Sequence, residues 1–349
     1  MTRIIKKGYS FDDVLLYPRY SSISSRKDVC FKTKVTKNFY LNIPFLAANM
    51  DTICEKEMAI ALGKIGGLGV IHRFMPIEEQ AKQVREVKKE NLICAAAIGV
   101  KDYKERTKFL VEAGVDILVL DIAHAHSFKA GECLLWLKEN FSVDVMVGNI
   151  ATREAAKFFL DKGVDSLKIG IGPGSMCTTR IMTGAGVPQI TAIMDVFEEV
   201  KGEIPICADG GIKNPGDVVK AIGAGADCVM VGKIIAGCLE TPGRIIGYEG
   251  KKFKEYRGMA SFEATLKKLK MEGKKESEII SIEGEKTLVD YKGPVENIIK
   301  KFLGGLASGM SYLGAKNIED FKGNVDFIEI SSAGFRESLP HGVFDSFFE

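Results

Sequence analysis

A loop of unusual chemistry lies near the middle of the chain, reading Gly170-Ile-Gly-Pro-Gly-Ser-Met-Cys-Thr-Thr-Arg180. Its glycines let backbone amides approach an anion, and Ser175 adds a hydroxyl. Cys177 sits inside this polar loop, flanked by Thr178, Thr179 and Arg180. Oriented amides and a nearby cation lower a thiol pKa and supply thiolate near neutral pH, so Cys177 is the candidate nucleophile. The competing expectation for an isolated cysteine is a small buried hydrophobe, which suits Cys207 and Cys228 in their apolar runs. Further along, Asp209-Gly210-Gly211 offers a carboxylate for vicinal hydroxyls and amides for phosphate, or else a helix cap. Gly232, after another apolar run, would complete a phosphate cup.

These groups need a scaffold that brings them to one face. Eight apolar runs are spaced along the chain: Ile43–Ala48, Leu68–His72, Ile93–Ile98, Ile117–Ile122, Val143–Gly148, Ser166–Gly170, Pro205–Ala208 and Cys228–Gly232. Most recur at roughly 21 to 28 residues, one βα unit, with one interval of roughly 39. Continuous apolar strands alternating with helices imply a covered parallel sheet, and eight of them imply a closed (β/α)₈ TIM barrel. An open doubly wound sheet is the rival, but it rarely needs eight consecutive units. Helix starts are marked by Pro76-Ile-Glu-Glu, Thr152-Arg-Glu-Ala and Asn214-Pro-Gly-Asp. A Gly-x-Asp turn precedes three of the strands, ending at Asp116, Asp165 and Asp227. Val295 to Leu313 reads as the closing helix.

In a barrel, loops after the strands build the site. Polar residues stand at nearly every such point: Asn49-Met50-Asp51, His72, Asp121, Asn149, the cysteine loop, Asp209 and Gly232. His72 is as readily a satisfied rim histidine as a ligand contact, and His124 and His126 are spaced wrongly for a helical metal pair. Residues Gly250 to Lys301 break the pattern, with Lys267, Lys268, Lys270, Lys274 and Lys275 and no apolar stripe. A solvated helix and loop is one reading; a mobile lid over residues 250–294 is the other.

The 349 residues are 46% hydrophobic and 27% charged, enough for one large core, so a single catalytic domain over 1–349 is expected. Net charge is +2, which argues against nucleic acid or an anionic membrane as partner. No membrane-length apolar run or signal peptide appears, and the eight cysteines form no CxxC pair, so the chain reads as cytoplasmic.

The strings Phe11-Asp-Asp-Val-Leu-Leu, Ala47-Ala-Asn-Met-Asp-Thr, the cysteine loop, Ala208-Asp-Gly-Gly and Tyr256-Arg-Gly-Met resemble the IMP dehydrogenase / GMP reductase family over nearly the whole chain. The resemblance implies a homotetrameric barrel, without a CBS insertion, acting at C2 of a purine nucleotide, GMP or IMP. It implies attack by Cys177, with Thr179 and Glu283 as proton relay. Ser175, Asp209, Gly210, Gly211, Gly232, Lys233 and Tyr256 would hold the ribose phosphate. Met50, Gly258 and Met259 would lie along the base. Asp121, Ala123, Asn149 and Gly170 would face the nicotinamide cofactor, and the carbonyls of Gly172, Gly174 and Cys177 a potassium ion.

The direction of chemistry turns on one absence. Family dehydrogenases carry a flap Arg-Tyr pair that activates water, whereas Gly258 to Phe335 contains no arginine. Glu283-Gly-Glu-Lys-Thr resembles the reductase motif Glu-Gly-Lys-Thr, and the short link from His72 to Ile93 leaves no room for a CBS module. Thr179 to Ala192 and Ala333 to His341 look more like the dehydrogenase branch, and Lys233 replaces the usual Ser or Gly. The expectation is an NADPH-dependent GMP reductase. The alternatives are an NAD-dependent IMP dehydrogenase and a nucleotide-binding barrel with little turnover. A 2′-phosphate on the cofactor would call on the lid lysines or Lys286.

Overall fold

Strands β1 (Phe45–Ala47), β2 (Leu68–Ile71), β3 (Ala95–Ile98) and β4 (Ile117–Asp121) stand side by side in parallel, each followed by a helix. They continue into β5 (Asp144–Ile150), β6 (Ser166–Ile169), β7 (Ile206–Asp209) and β8 (Cys228–Val231). Pairing of Val231 with Ala47 closes the barrel between β8 and β1. In this computed structural model all eight barrel strands coincide with the apolar runs to within a few residues. The structure describes residues 2–271 and 282–340; Lys274, Lys275 and His341, named above, lie outside them. The fold is a TIM barrel, and the β2–β3 connection is a single helix, α1 (Ile77–Lys89).

The recurrent Gly-x-Asp turn has a physical purpose. Gly114, Gly163 and Gly225 adopt positive φ, which lets the chain reverse into the next strand. The aspartate that follows then accepts from a backbone N–H at the start of the neighbouring strand: Cys94 N to Asp116 at 2.8 Å, Val145 N to Asp165 at 2.8 Å, Ile206 N to Asp227 at 2.9 Å. A lysine balances each carboxylate, namely Lys88, Lys138 and Lys322. The turns therefore stitch adjacent strands at the end of the barrel opposite the polar loops. Asp165→Ala should lower the unfolding free energy by about 1–3 kcal/mol, because it strands the buried Val145 N–H; the shift of the urea midpoint measures it.

The helix starts are built as the residues suggest. Thr152 accepts from Ala155 N at 3.2 Å at the head of α2 (Arg153–Leu160). Asn214 and Asp217 form a capping box with Pro215 in the first turn of a helix spanning Pro215–Gly223. The closing helix runs Val295–Tyr312.

The described residues of the segment 250–294 differ from a solvated helix and loop. Strands β9 (Ile246–Tyr248), β10 (Lys251–Arg257) and β11 (Lys286–Asp290) form an antiparallel sheet, with a helix over Phe262–Met271 between the last two. The alternation in β10 is hidden because its inward face carries a lysine. Lys254, 2% exposed, donates to the carbonyls of Cys238 at 3.2 Å, Leu239 at 3.0 Å and Thr241 at 2.5 Å. Those three carbonyls replace water around the ammonium, so a residue that reads as solvent-facing is buried. A second addition is the short antiparallel pair Val14–Leu16 with Phe327–Glu329.

Candidate active site

The cysteine loop leaves β6 and is shaped by two glycines. Gly170 has φ +148°, and a Cβ there would lie 2.1 Å from the Asp209 carbonyl oxygen. Gly172 has φ +82°, and a Cβ there would lie 2.4 Å from Arg180 Cγ. Arg180 folds back across the loop, donating from Nε to Ile171 O at 3.0 Å and from its guanidinium to Val187 O. It thus clamps the loop rather than lying free beside the thiol.

Cys177 is exposed, whereas Cys54, Cys94, Cys133, Cys207, Cys228 and Cys238 are buried. Burial pushes the thiols of Cys94, Cys133 and Cys238 up to about 12, which removes them from thiolate chemistry at neutral pH. Cys177 Sγ donates to Thr179 Oγ1 at 3.1 Å, and Thr179 Oγ1 donates to Glu283 Oε2 at 2.8 Å. The hydrogen bonds run in one direction, from sulfur to carboxylate. Glu283 reaches this position because its segment is zipped to the loop: Thr178 N donates to Glu283 O at 3.1 Å and Glu285 N to Met176 O at 3.1 Å. On the other side, Glu283 N donates to Ala260 O at 3.0 Å and Gly258 N to Glu285 O at 2.8 Å.

Beside the thiol opens a cavity of about 300 Å³. Met50, Gly174, Ser175, Asp209, Gly210, Gly211, Gly232, Lys233 and Tyr256 line it. Cys177, Gly258, Met259, Asp121, Ala123, Asn149, Gly170 and Gly172 lie outside its lining. Ser175 Oγ and Tyr256 OH are 3.2 Å apart. Burial, opposed by Ser175, pushes the Tyr256 hydroxyl up, so it remains a neutral donor. Ser10, Phe11, Asp12 and Lys213 also line the cavity and are not among the sequence candidates, though Phe11 and Asp12 open a quoted motif. The Lys213–Asp12 ion pair, at 2.6 Å, joins the N-terminal segment to the loop after β7. Asp209 is not a helix cap, since Asn214 fills that position.

The strap from the antiparallel sheet to the barrel is ionic. Arg257 Nε donates to Asp51 Oδ1 at 3.1 Å, and its Nη2 pairs with Oδ2. Burial opposes the charge on Asp51, but Arg257 outweighs it and holds the carboxyl below its usual range. Asp51 N also donates to Met259 Sδ at 3.3 Å, which sets Met259 beside Met50's loop.

At the barrel mouth the structure adds a residue absent from the sequence candidates. Lys168, 1% exposed, lies 2.9 Å from Asp121 Oδ1 and 2.7 Å from Asp209 Oδ2, and also donates to Asn149 Oδ1. Burial disfavours this ammonium, but Asp121 and Asp209 outweigh it and hold its pKa above the ordinary lysine value. Asp121 in turn is penalised by burial yet held below the usual carboxylate range by Lys168 and Arg73, so it is an ionised acceptor. Asn149 Nδ2 donates to Gly170 O at 2.7 Å and to Asp209 Oδ2 at 2.9 Å. A lone lysine inside an otherwise apolar strand is the sequence signal that marks such a residue.

The three described histidines are otherwise occupied. His72 is fully buried, accepts from Phe74 N at 3.1 Å through Nδ1 and meets Glu55 at 3.1 Å through Nε2. His124 and His126 stack edgewise at 6.3 Å. Among the described residues no cluster of His, Cys, Asp or Glu could hold a metal ion, and no helix is long and apolar enough to cross a membrane.

Residues 8–341 match the family model described as "IMP dehydrogenase / GMP reductase domain". The chain is 42% identical to inosine-5′-monophosphate dehydrogenase of Borreliella burgdorferi, covering 98% of each protein. It is 40% identical to the Cryptosporidium parvum enzyme of the same name, covering 98% of this chain and 97% of that one. Against GMP reductase of Leishmania donovani the identity is 34%, over 97% of this chain and 98% of that one. A solved structure of Trypanosoma brucei GMP reductase in complex with guanosine 5′-monophosphate superposes with a TM-score of 0.92 at 33% identity, covering 97% of this chain and 99% of that one. With an exposed thiol, a hydroxyl and a carboxylate aligned beside a glycine-lined cavity, and with that match over almost its full length, the chain belongs to the IMP dehydrogenase / GMP reductase family of nicotinamide-dependent purine nucleotide oxidoreductases.

Proposed function

We propose that the chain is a GMP reductase, converting GMP to IMP and ammonia with NADPH. The observation that carries this reading is the pairing of an intact thiol–Thr179–Glu283 relay with a stretch from Gly258 to Phe335 that lacks arginine. The relay can move protons, but the Arg-Tyr pair that the dehydrogenase needs to activate water is missing.

In this reading the cavity takes the ribose 5′-phosphate, with Ser175, Tyr256 and the amides of Gly211 and Gly232 on phosphate and Asp209 on the ribose. Cys177 passes its proton through Thr179 to Glu283, and the thiolate adds to purine C2, an amidine-like carbon open to a soft nucleophile. N3 takes a proton as the C2–S bond forms. Glu283 returns its proton through Thr179 to the 2-amino group, the C2–N bond breaks, and ammonia departs, leaving a thioimidate. NADPH, when bound, supplies the hydride that C2 requires. The C–S bond then breaks and N3 gives back to solvent the proton it took from it, giving IMP and regenerating the Cys177 thiolate. Asp121, Asn149, Ala123 and Gly170 would hold the cofactor, with the ionised Asp121 as acceptor for its hydroxyls.

The cofactor fits an ionised carboxylate at the mouth, but its 2′-phosphate meets competition. Lys286 pairs with Glu255 at 3.1 Å and Glu263 at 3.6 Å, and Lys267 lies 3.6 Å from Asp51. A monovalent cation at the carbonyls of Gly172, Gly174 and Cys177 would use the second lone pair of Gly174 O, which already accepts from Cys177 N at 3.0 Å. Residues 250–294 act as the lid that delivers Glu283, and the working assembly is a homotetramer.

The second reading, an IMP dehydrogenase, is favoured by the 42% identity to the Borreliella enzyme. Parallel assays separate them. GMP with NADPH should consume nicotinamide absorbance and yield IMP and ammonia; IMP with NAD should yield no xanthosine monophosphate. The reverse pattern overturns the reductase.

A further inference from the structure

Lys168 touches both halves of the mouth. Its ammonium lies between Asp209, which lines the nucleotide cavity, and Asp121, which lies outside it. Both contacts are shorter than 3 Å, and the side chain is 1% exposed, so water cannot replace either partner. Asp209 spends the same oxygen, Oδ2, on Lys168 and on Asn149 Nδ2, which turns Oδ1 over to other donors. One buried positive charge is thus divided between two carboxylates, and any change in the demand of one is felt by the other.

We propose that Lys168 is a positioning residue through which the cofactor-side carboxylate, Asp121, sets the strength of the nucleotide-side carboxylate, Asp209; this rests on the acceptor roles given to both above. While Asp121 draws part of the ammonium, Asp209 keeps enough negative charge to accept strongly from ribose hydroxyls. Neutralising Asp121 lets Lys168 pair wholly with Asp209, which then becomes a poorer acceptor. Without a cation at position 168, that route is closed, and neutralising Asp121 only removes a repulsive negative charge near an anionic nucleotide. The sign of the Asp121 effect therefore depends on Lys168. A merely structural lysine would lower stability but would leave the Asp121 effect the same in both backgrounds.

The test is a double-mutant cycle on GMP affinity, read by calorimetry on full-length Cys177→Ala protein so that no chemistry intervenes. With Lys168 present, Asp121→Asn should weaken GMP binding by about fivefold or more, the lower range of site-to-site coupling. In the Lys168→Gln background, Asp121→Asn should not weaken GMP binding. Lys168→Arg keeps the cation and should restore the weakening. Equal Asp121→Asn effects in the Lys and Gln backgrounds overturn the coupling while leaving the nucleotide site standing. Should Lys168→Gln fail to fold, Lys168→Arg decides alone: loss of the Asp121 effect with a cation in place overturns the proposal. Absence of GMP binding to the starting Cys177→Ala protein overturns the nucleotide reading and this inference with it.

Discussion

Cys177→Ala is expected to lower turnover by about 10⁴-fold or more, since removing the nucleophile removes the covalent route and not one contact among many. Nucleotide affinity should change only a few-fold. The residues that would grip phosphate and ribose belong to the cavity lining, and Cys177 does not. Steady-state rates together with calorimetric GMP binding measure both halves of this outcome. Loss of binding in parallel with turnover would mean that the side chain shapes the pocket. Retention of turnover would mean that the chemistry at C2 does not pass through sulfur. The buried thiols offer no substitute nucleophile, because burial holds Cys94, Cys133 and Cys238 at about 12.

Glu283→Gln is expected to slow turnover by about 10²-fold or more. The amide oxygen still accepts from Thr179, now at 2.8 Å from the carboxylate, so the backbone zip and the loop position survive. What disappears is the capacity to take a proton from sulfur and return it to the departing amine. KM for GMP should stay close to the parent value. A Gln variant with normal kcat would exclude Glu283 from the relay. A variant that loses GMP affinity but keeps kcat would make the residue a lid anchor.

The barrel is legible in the sequence because its strands are buried on both faces and read as continuous apolar runs, from Phe45 to Val231. Most of the cavity lining is legible for a related reason. Loops after barrel strands are solvent-facing, so glycines and polar residues such as Ser175, Asp209 and Gly211 stand out against apolar neighbours. The antiparallel sheet of residues 246–290 is not legible, because Lys254 occupies a buried position and is satisfied only by carbonyls of a distant turn. Lys168 escapes for the same reason: its partners Asp121 and Asp209 are far apart in sequence and meet only when the barrel closes. Arg180 is legible in part. Its charge acts on the neighbouring thiol, as its place in the sequence suggests, but its hydrogen bonds to Ile171 and Val187 form only once the loop folds back.

The claim on which the account stands is that one sulfur engages the purine ring. Peptide mapping of iodoacetamide labelling addresses it directly, with the exposed Cys30 as internal reference. Saturating GMP should slow alkylation of Cys177 severalfold and leave Cys30 unchanged. Alkylation of Cys177 at the same rate with and without bound GMP would contradict the account.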